Sequence, residues 1–454
     1  MTLAAVILAA GQGTRMKSSM PKVLHPVAGK PMALYALDAA GDLNAAPTVL
    51  VIGHGGDQVR TIISNSQLPT SNLQFIEQKE QRGTGHAVLQ AREVLRDRAD
   101  TVLVMYADMP LLQTTTLQKL AILHAQSRAT ITMLTVCADD SMGFGRVLRD
   151  SDFRVTGIVE EKDATAEQRA IRELNCGVYC FDAAWMWDHL AQLTPQGHKH
   201  EYYLTDLVAL ATRENKMIEA LVLDDLSEVI GINTRVHLAR AEKIMRDRIN
   251  ERWMDAGVTL IDPATTYIDA DATIGMDTVI EPNTHIHGAT RIGAQCRIGP
   301  NAIIRASDIG DACTIIASVI RESKLEEHVR VGPFADLRPG AHLARDVYVG
   351  NFGEVKNSYI GEATHIGHFS YIGDAELGAH VNIGAGTITC NYDGKKKSRT
   401  VIGARAFIGS DTMLVAPVEI GARAHTGAGS VVTKNVPPDS LAVGQPARVI
   451  RKFK

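Results

Sequence analysis

Aliphatic residues recur every six positions through the second half of the chain, with occasional shifts of phase. The series runs through Ile268, Ile274, Ile280, Ile286, Ile292, Ile298, Ile304, Ile309, Ile315, Val331, Leu337, Leu343, Val349, Val355, Ile360, Ile366, Ile372, Ile402, Ile408, Leu414 and Ile420. A period of six matches neither the 3.6-residue repeat of a helix nor the two-residue alternation of an open sheet. It predicts a parallel β-helix, in which each repeat forms one short strand and one turn and stacked coils bury their aliphatic side chains together.

Glycine often follows the aliphatic residue, as at Gly275, Gly293 and Gly367. We expect these glycines at backbone positions that a side chain would oppose. The pattern resembles the left-handed β-helix of hexapeptide-repeat acyltransferases. The non-catalytic alternative is a structural solenoid or a capping arm.

Short apolar runs alternate with helical segments over residues 1 to about 230. The predicted strands are Leu3–Leu8, Thr48–Val51, Thr101–Tyr106 and Thr130–Val136, and the predicted helices are Ala87–Arg98 and Thr114–Ser127. This order is typical of an open, largely parallel α/β sheet. Ligands of such sheets bind beyond the carboxyl ends of the strands.

Composition narrows the classes of partner. The 454 residues allow two or three domains, and a net charge of −4 gives no general attraction for nucleic acid. The apolar run Leu3–Ala10 is short and lacks a basic start, so it is predicted to be a strand and not a signal peptide, and no run approaches a membrane span. The six cysteines lack CxxC spacing, which favours free thiols over a metal site at Cys176 and Cys180. We therefore expect a cytoplasmic protein with neither nucleic-acid nor membrane partners.

A glycine-rich turn follows the first predicted strand and carries candidate phosphate chemistry. It reads Gly11-Gln12-Gly13-Thr14-Arg15, and Pro21-Lys22 comes shortly after. Glycines allow a tight turn whose N–H groups face an anion. The spacing is neither the GxGxxG pattern nor a Walker loop, so the turn alone is weak evidence. With Arg15 and Lys22 on either side, it predicts a phosphate-binding loop.

The segment Leu8–Lys22 resembles the signature of the sugar-phosphate nucleotidyltransferases, apart from Gln12, where that family often has lysine. Further matching segments are Gln78–Ala87, Tyr106–Pro110, Gly143–Arg146, Val159–Ala164, Leu174–Gly177 and Gly231–Asn233. The resemblance implies a Rossmann-like fold, catalysis by Lys22 and Arg15, and Mg²⁺ bound by Asp108 and Asn233. It also implies that UTP or a UDP-sugar contacts Leu8, Ala9, Gly11, Lys22, Gln78, Gly83, Thr84, Tyr106, Asp108, Gly145, Glu160, Asn175 and Asn233. From the residues alone, Asp108 has the alternative role of a helix cap or turn former.

The stretch Val381–Gly394 is the most specific part of the second half. Residues Thr389–Arg399 break the six-residue phase, which predicts a loop inserted into the solenoid, and such loops are often binding features. A nucleotidyltransferase followed by a long hexapeptide β-helix resembles the family of bacterial bifunctional uridyltransferase/acetyltransferases. The resemblance implies acetylation of glucosamine-1-phosphate by acetyl-CoA, then transfer of UMP from UTP to the product with release of pyrophosphate. The product would be UDP-N-acetylglucosamine, a precursor of peptidoglycan and lipopolysaccharide.

This second resemblance also assigns residues and an assembly. It implies His368 as the catalytic base, a choice that the eight histidines of the repeat region do not permit by themselves. Glucosamine-1-phosphate would contact Arg338, Lys356, Tyr371 and Asn382, and acetyl-CoA would contact Ala385, Asn391, Tyr392, Ser410, Ala428 and Arg448. The related acyltransferases are trimers with sites between neighbouring subunits, so we expect a homotrimer. Gln445 replaces an arginine of some family members, and the basic tail that contains Arg448 would either bind CoA phosphates or only cap the last coil.

A helical pattern over Thr234–Asp255, followed by Gly257, separates the halves. We expect a nucleotidyltransferase domain at residues 1–234, a linker helix at 235–256 and a β-helix domain at 257–454. Two other functions fit this order of folds. The β-helix could be a regulatory arm, as in ADP-glucose pyrophosphorylases, or the chain could be a non-catalytic scaffold like the translation-factor exchange subunits. The joint presence of Lys22, Asp108 and Asn233 argues against the scaffold, and His368 with Asn391-Tyr392 argues against the regulatory arm.

Overall fold

The computed structural model describes residues 2–66, 72–195 and 201–452. The chain forms two compact units, Met1–Met245 and Arg246–Lys454. The boundary falls inside the long helix Arg235–Asp255, at the position where the sequence predicts a linker helix.

A mixed sheet forms the centre of unit 1. Its strands, with a small separate hairpin, are β1 (Leu3–Ala9), β2 (Pro26–Val27), β3 (Lys30–Pro31), β4 (Thr48–Ile52), β5 (Leu73–Glu77), β6 (Thr101–Tyr106), β7 (Ile131–Cys137), β8 (Arg146–Arg149), β9 (Val155–Val159), β10 (Glu173–Asp182) and β11 (Ile218–Leu223). The order across the main sheet is β11-β7-β10-β6-β1-β4-β5, and β8 pairs with both β9 and β10. Only β10 runs antiparallel to its neighbours β6 and β7 along this path.

Helices cover both faces of this sheet. They are α1 (Met32–Asp42), α2 (Gly56–Ser64), α3 (Thr84–Leu89), α4 (Arg92–Leu95), α5 (Thr114–Ser127), α6 (Ala166–Arg169), α7 (Ala183–Leu190), α8 (Asp206–Arg213) and α9 (Arg235–Asp255), with 3-10 turns at Thr14–Met16, Lys22–Leu24 and Leu226–Val229. Successive residues of β1 alternate between two cores, because side chains of a strand point to opposite faces. Ala5 and Ile7 pack on the side of α1 and α5, whereas Ala4 and Val6 pack on the side of α3, α7 and α8.

The α/β prediction for this unit is confirmed, with two differences of detail. The predicted helix Ala87–Arg98 is two short helices, α3 and α4, and the first begins earlier, after Gly83 at a φ of 106°. The sheet is also less parallel than expected, since β10 crosses its centre in the opposite direction.

Unit 2 is a parallel β-helix with three faces, built from very short strands. The first face contains Thr259–Leu260, Val279–Ile280, Arg297–Ile298, Thr314–Ile315, Arg330–Val331, Tyr348–Asn351, His365–His368, Asn382–Ile383, Phe407–Ile408, His425–Thr426, Ser440–Gly444 and Ala447–Lys452. The second face contains Tyr267–Ile268, His285–His287, Ile303–Arg305, Val319–Arg321, Asp336–Leu337, Glu354–Lys356, Tyr371–Gly373, Ile388–Cys390, Met413–Val415 and Val431–Val432. The third face contains Thr273–Ile274, Arg291–Ile292, Asp308–Ile309, Lys324–Leu325, His342–Leu343, Tyr359–Ile360, Ala375–Leu377, Thr400–Ile402 and Val418–Ile420.

The aliphatic repeat lines the interior of these coils with fewer gaps than the strict six-residue pattern shows, and Thr389 takes the interior position of one strand. Ile320, Leu325, Leu377 and Ile383 complete the series and are buried. Steps of five residues occur where a turn is one residue shorter, which explains the apparent shifts of phase. Buried threonines add coil-to-coil hydrogen bonds, as where the Thr278 hydroxyl donates to the Gly293 carbonyl at 2.9 Å. The fold-class prediction of a hexapeptide β-helix after the α/β domain is confirmed.

Close approach of the coils explains the repeat glycines. A Cβ at Gly275 would lie 2.5 Å from the backbone nitrogen of Ala294 in the next coil. Left-handed backbone conformations fall instead on nearby non-glycine residues, such as Asp277 at a φ of 60° and Gln295 at 57°. Gly367 differs, because a Cβ there would meet no atom within 4 Å.

Gly275→Ala should therefore destabilise the β-helix, by about 1–3 kcal/mol, the range typical of overpacked sites. Gly367→Ala is the matched control and should leave stability nearly unchanged. Thermal unfolding followed by circular dichroism checks both, and equal melting temperatures for the two variants would contradict this explanation of the glycine pattern.

Candidate active sites in the two units

Two adjoining cavities open at the carboxyl ends of β1 and β6 in unit 1. Their volumes are about 350 and 470 Å³, and Thr84, Tyr106, Asp108, Glu201 and Tyr203 line both. This is the edge at which parallel α/β sheets bind ligands.

The first cavity, of about 350 Å³, contains the residues predicted to contact the nucleotide. They are Leu8, Ala9, Gly11, Lys22, Gln78, Gly83 and Thr84. The Gln78 side chain donates to the Gly83 carbonyl at 3.1 Å, and the Gln81 side chain donates to the Ala10 carbonyl at 2.7 Å. The first bond lies within the loop after β5, and the second connects that loop to Ala10, just before the glycine-rich turn, so one polar wall forms from two distant segments.

The second cavity, of about 470 Å³, brings together Gly145, Glu160, Asn175 and Asn233. The Asn175 side-chain oxygen accepts from the Tyr179 hydroxyl at 2.9 Å, which orients the amide. The Glu160 carboxylate accepts from the Thr205 hydroxyl at 3.0 Å. Burial raises the pKa of Glu160, and this hydrogen bond partly opposes the shift. The cavity thus offers amide and carboxyl groups suited to a polyhydroxylated ligand.

The Tyr106 side chain lines both cavities, and its ring packs against Gly177. A Cβ at Gly177, where φ is 77°, would lie 2.5 Å from the Tyr106 ring. Burial, with smaller effects of the Glu160 and Asp108 carboxylates, raises the pKa of the Tyr106 phenol. The hydroxyl therefore remains a hydrogen-bond donor throughout the neutral range.

Three polar side chains converge where the two cavities meet. The Lys22 ammonium forms an ion pair with Asp108 and donates to the Asn233 side-chain oxygen at 3.1 Å. The loop that carries Asn233 is attached to the end of β6, because the Ile232 N–H donates to the Asp108 carbonyl at 2.9 Å. One carboxylate and one amide oxygen thus face a common cation, and this donor set suits Mg²⁺, which takes its remaining ligands from water and phosphates.

Arg15 does not join this group. It is exposed in the 3-10 turn Thr14–Met16, and it is absent from the lining of both cavities among the described residues. Of the two predicted cations, Lys22 alone enters the cleft in this structure.

In unit 2, stacking places five residues on one corner of the β-helix. Asn351 and His368 pair in register, and Ala385, Ser410 and Ala428 occupy the equivalent corner of later coils. The Asn351 side-chain oxygen lies 2.8 Å from His368 Nδ1. Because that oxygen can only accept, Nδ1 carries the proton and Nε2 retains a free lone pair. His368 is exposed and is therefore oriented as a base toward solvent-accessible space.

The predicted sugar-phosphate residues gather on the neighbouring second face. The Arg338 guanidinium donates to Glu354 at 2.6 Å, and the Lys356 ammonium lies 3.8 Å from Asp374. Tyr371 pairs in register with Glu354, and its hydroxyl accepts from the Asn391 amide at 3.3 Å.

Asp374 links this group to the inserted loop. Burial alone would raise its pKa, but hydrogen bonds from Asn357 and Asn391 and the nearby Lys356 and Lys397 ammonium groups hold it below the usual value. The carboxylate is therefore ionised between two cations, and it joins the loop to the second face.

Three predicted residues lie apart from that group. Asn382 is on the first face, in register with His365. Tyr392 is exposed on the inserted loop, where its hydroxyl donates to the Gly394 carbonyl at 2.7 Å. Arg448 lies on the exposed terminal strand of a hairpin, while the side chain of nearby Gln445 donates to the Gly429 carbonyl at 2.8 Å, one residue after Ala428. Lys454, counted in the basic tail, lies outside the described residues.

Sequence reasoning missed Asn351, Glu354 and Asp374. The only available signal was register, since Asn351 precedes His368 by 17 residues, about one coil. Such a spacing becomes meaningful only after the coil lengths are known.

Comparison with known proteins extends this picture. The chain matches the MobA-like NTP transferase domain family over residues 5–201 and the bacterial transferase hexapeptide (six repeats) family over residues 271–306 and 399–434. The Bifunctional protein GlmU of Heliobacterium modesticaldum is 51% identical over 439 residues, which cover 97% of this chain and 94% of that protein. The Bifunctional protein GlmU of Trichlorobacter lovleyi is 47% identical over 98% of this chain and 96% of its own.

The chain belongs to the bifunctional GlmU family. The prediction of one chain with acetyltransferase and uridyltransferase activities is thereby confirmed. The two alternatives, a β-helix without catalytic function and a non-catalytic scaffold, are wrong. A solved structure of apo-UDP-glucose pyrophosphorylase aligns with 55% of this chain and 100% of its own, with 16% identity and a TM-score of 0.47.

Within residues 2–66, 72–195 and 201–452, no helix combines the length and the apolar character that a membrane span requires. No group of three or more His, Cys, Asp or Glu side chains is placed to hold a metal ion in those residues either.

Asn351→Ala should lower the rate of acetyl transfer, because His368 would lose the acceptor that sets its tautomer and ring orientation. We expect a loss of about 10- to 100-fold, as for partners that orient metal-bound histidines. Steady-state acetylation of glucosamine-1-phosphate measures this, and uridylyl transfer by the same preparation is the control. Acetylation within twofold of the parent would show that Asn351 does not orient the base.

Proposed function

We propose that the first cavity of unit 1 binds UTP and the second binds N-acetylglucosamine-1-phosphate. The convergence of Lys22, Asp108 and Asn233 at the junction carries this proposal. A phosphate oxygen of the sugar attacks the α-phosphorus of UTP, the bond to pyrophosphate breaks, and UDP-N-acetylglucosamine forms. Glu160 and Asn175 orient the sugar, and Gln78, Gly83 and Thr84 hold the nucleotide.

Asp108 and Asn233 would hold Mg²⁺ beside the phosphates. When bound, the ion would neutralise charge on the phosphate oxygens and orient them. Lys22 contributes its ammonium to the same charge, and the amides of the glycine-rich loop donate to phosphate oxygens. Arg15, exposed at the rim, would reach the outer phosphates only by moving from its present position.

We propose that unit 2 acetylates glucosamine-1-phosphate at the corner occupied by His368. Nε2 of His368 removes a proton from the sugar amine as its nitrogen attacks the thioester carbonyl, and CoA leaves as the thiol. Arg338, Lys356, Tyr371 and Asn382 would hold the sugar phosphate. Ala385, Asn391, Tyr392, Ser410 and Ala428 would contact acetyl-CoA, since three of them form one corner column.

Exposed aromatic side chains on unit 2 support a homotrimer. Phe334, Phe352 and Phe369 lie on one corner with 59%, 59% and 57% of their surfaces exposed, next to His368. The first two stack with ring centres 5.5 Å apart. Contiguous exposed apolar surface of this kind marks an association surface, and a second subunit there would cover the acetyl-transfer site.

We place this activity in the cytoplasm, where both co-substrates occur, and assign its product to peptidoglycan and lipopolysaccharide synthesis. The functional division is proposed as residues 1–234, a linker helix at 235–256 and 257–454. The first turns of that helix belong to the compact unit 1, so a fragment ending at residue 234 would lose packing.

Asp108→Asn should nearly abolish uridylyl transfer and leave acetyl transfer close to normal, because a neutral amide is a much weaker Mg²⁺ ligand than a carboxylate. His368→Ala is the reciprocal variant and should reduce only acetyl transfer, by roughly 10²–10⁴-fold. Pyrophosphate release and CoA thiol release report the two reactions. Parallel loss of both activities in either variant would refute the assignment of one reaction to each unit.

Phe352→Glu should weaken subunit association and acetyl transfer together, because a charged side chain would be buried in the contact. Uridylyl transfer should persist. Sedimentation of parent and variant, with both activities measured at the same concentrations, tests this. A variant that remains trimeric and fully active would exclude this corner from the interface.

Arg448→Ala distinguishes the two roles left open for the basic tail. If the tail holds CoA phosphates, the variant should raise the KM for acetyl-CoA without lowering the melting temperature, since Arg448 is exposed in a terminal strand. A lowered melting temperature with an unchanged KM would leave only a capping role.

A further inference from the structure

The first turn of α9 is attached to both ends of the phosphate-binding segment. Arg235, the first residue of α9, donates from Nε to the Met16 carbonyl at 3.3 Å. Its Nη1 lies 3.2 Å from Nδ1 of His25, whose side chain is buried. Because a guanidinium only donates, His25 Nδ1 is the acceptor and the ring carries its proton on Nε2.

Met16 and His25 flank the residues that carry the candidate cation. Met16 ends the 3-10 turn after the glycine-rich loop, and Lys22 begins the 3-10 turn that ends just before His25. The His25 N–H donates to the Lys22 carbonyl at 3.2 Å. One side chain, Arg235, thus bridges the two ends of a segment with Lys22 inside it.

A second contact repeats this attachment two turns further along α9. The Glu242 carboxylate accepts from the Ala28 N–H at 2.7 Å, where Ala28 has a φ of 44°. Residues seven apart lie on the same side of a helix, so Arg235 and Glu242 face the same segment. A small core also joins α9 to this region, formed by Met16, Val27, Met32, Leu111, Ile232 and Ala241.

Arg235 also follows Asn233 by two residues. The Lys22 ammonium reaches the Asn233 side chain at 3.1 Å, so these two groups come from segments that the Arg235 guanidinium ties together. A displacement of either segment would separate the ammonium from the amide oxygen, and near 1 Å of misplacement can lower a rate about 10²-fold.

We propose that Arg235 is a positioning residue for uridylyl transfer. Through its bonds to the Met16 carbonyl and His25, Arg235 keeps Lys22 and Asn233 in hydrogen-bond contact. It acts through these neighbours and lines neither cavity in the described structure. This inference rests on the uridylyl-transfer function proposed for unit 1.

The test compares Arg235→Gln and Arg235→Ala with the parent in the full-length protein. Arg235→Gln cannot bridge both acceptors and should lower kcat for uridylyl transfer roughly 10- to 100-fold, while the KM for UTP stays close to that of the parent. Acetyl transfer by the same preparation should be unchanged. Arg240→Gln, at an exposed arginine on the same helix, is the matched control and should retain the parental kcat.

Two further measurements separate positioning from folding. Added guanidinium ion should partly restore kcat to Arg235→Ala, whereas ammonium should not, because only guanidinium can donate in two directions. His25→Asn, which retains an acceptor, should keep more activity than His25→Leu.

An active parent with Arg235→Gln within twofold of its kcat would overturn the proposal. A loss of uridylyl transfer that comes with a lower melting temperature and an equally raised KM, and that added guanidinium does not relieve, would also overturn it. That result would indicate a folding role for Arg235. A parent that lacks uridylyl transfer would refute the proposed function instead.

Discussion

In the β-helix, parallel strands 16 to 18 residues apart pair residue by residue, except where the inserted loop lengthens the step to 25. This register cannot change by one residue without turning every buried aliphatic outward. Equivalent positions of successive coils are therefore stacked at one strand spacing, and Asn351, His368, Ala385, Ser410 and Ala428 form a column for that reason. Parallel pairing also aligns the strands of unit 1, where β1, β4 and β6 end at one edge of the sheet. Gly11 and Asp108 follow two of these strands and line the same cavity.

Cations at both candidate sites are paired with carboxylates. Lys22 contacts Asp108, Arg338 contacts Glu354, and Lys356 lies near Asp374. These three cations are thus each held near a carboxylate before a ligand arrives. The pairs fix geometry more than they add stability, because desolvation offsets much of the attraction in the largely buried Lys22–Asp108 pair and solvent screens the partly exposed Arg338–Glu354 pair. A phosphate that binds there joins an arrangement already oriented for it.

Much of this architecture could be predicted from the sequence because it depends on local periodicity. The helix Thr114–Ser127 and the strand Thr101–Tyr106 agree with their predicted bounds. The antiparallel course of β10 and the break between α3 and α4 could not be predicted, since both depend on tertiary packing. The repeat glycine Gly275 lies where a side chain would be opposed, as expected, but the cause, close approach of the next coil, is visible only in the stacked structure.

The candidate sites were also predictable only in part from the sequence. Family motifs pointed to Lys22, Asp108 and Asn233, and the structure places them together, although the sequence separates Lys22 from Asn233 by 211 residues. The partners that set geometry, Asn351 for His368 and Arg235 for the Lys22 segment, belong to no motif and emerge only from coordinates. Arg15 shows the opposite case, since it belongs to a family motif but its side chain lies at the surface and lines neither cavity among the described residues.

The central claim is that two separate sets of residues carry out consecutive reactions. Complementation in a single tube tests it most directly, with glucosamine-1-phosphate, acetyl-CoA, UTP and Mg²⁺ supplied and UDP-N-acetylglucosamine measured by chromatography. The Asp108→Asn and His368→Ala proteins should each form almost no product alone, and their mixture should restore synthesis, because each retains the site that the other lacks. A mixture that remains inactive, or either variant that makes the product unaided, would contradict the account.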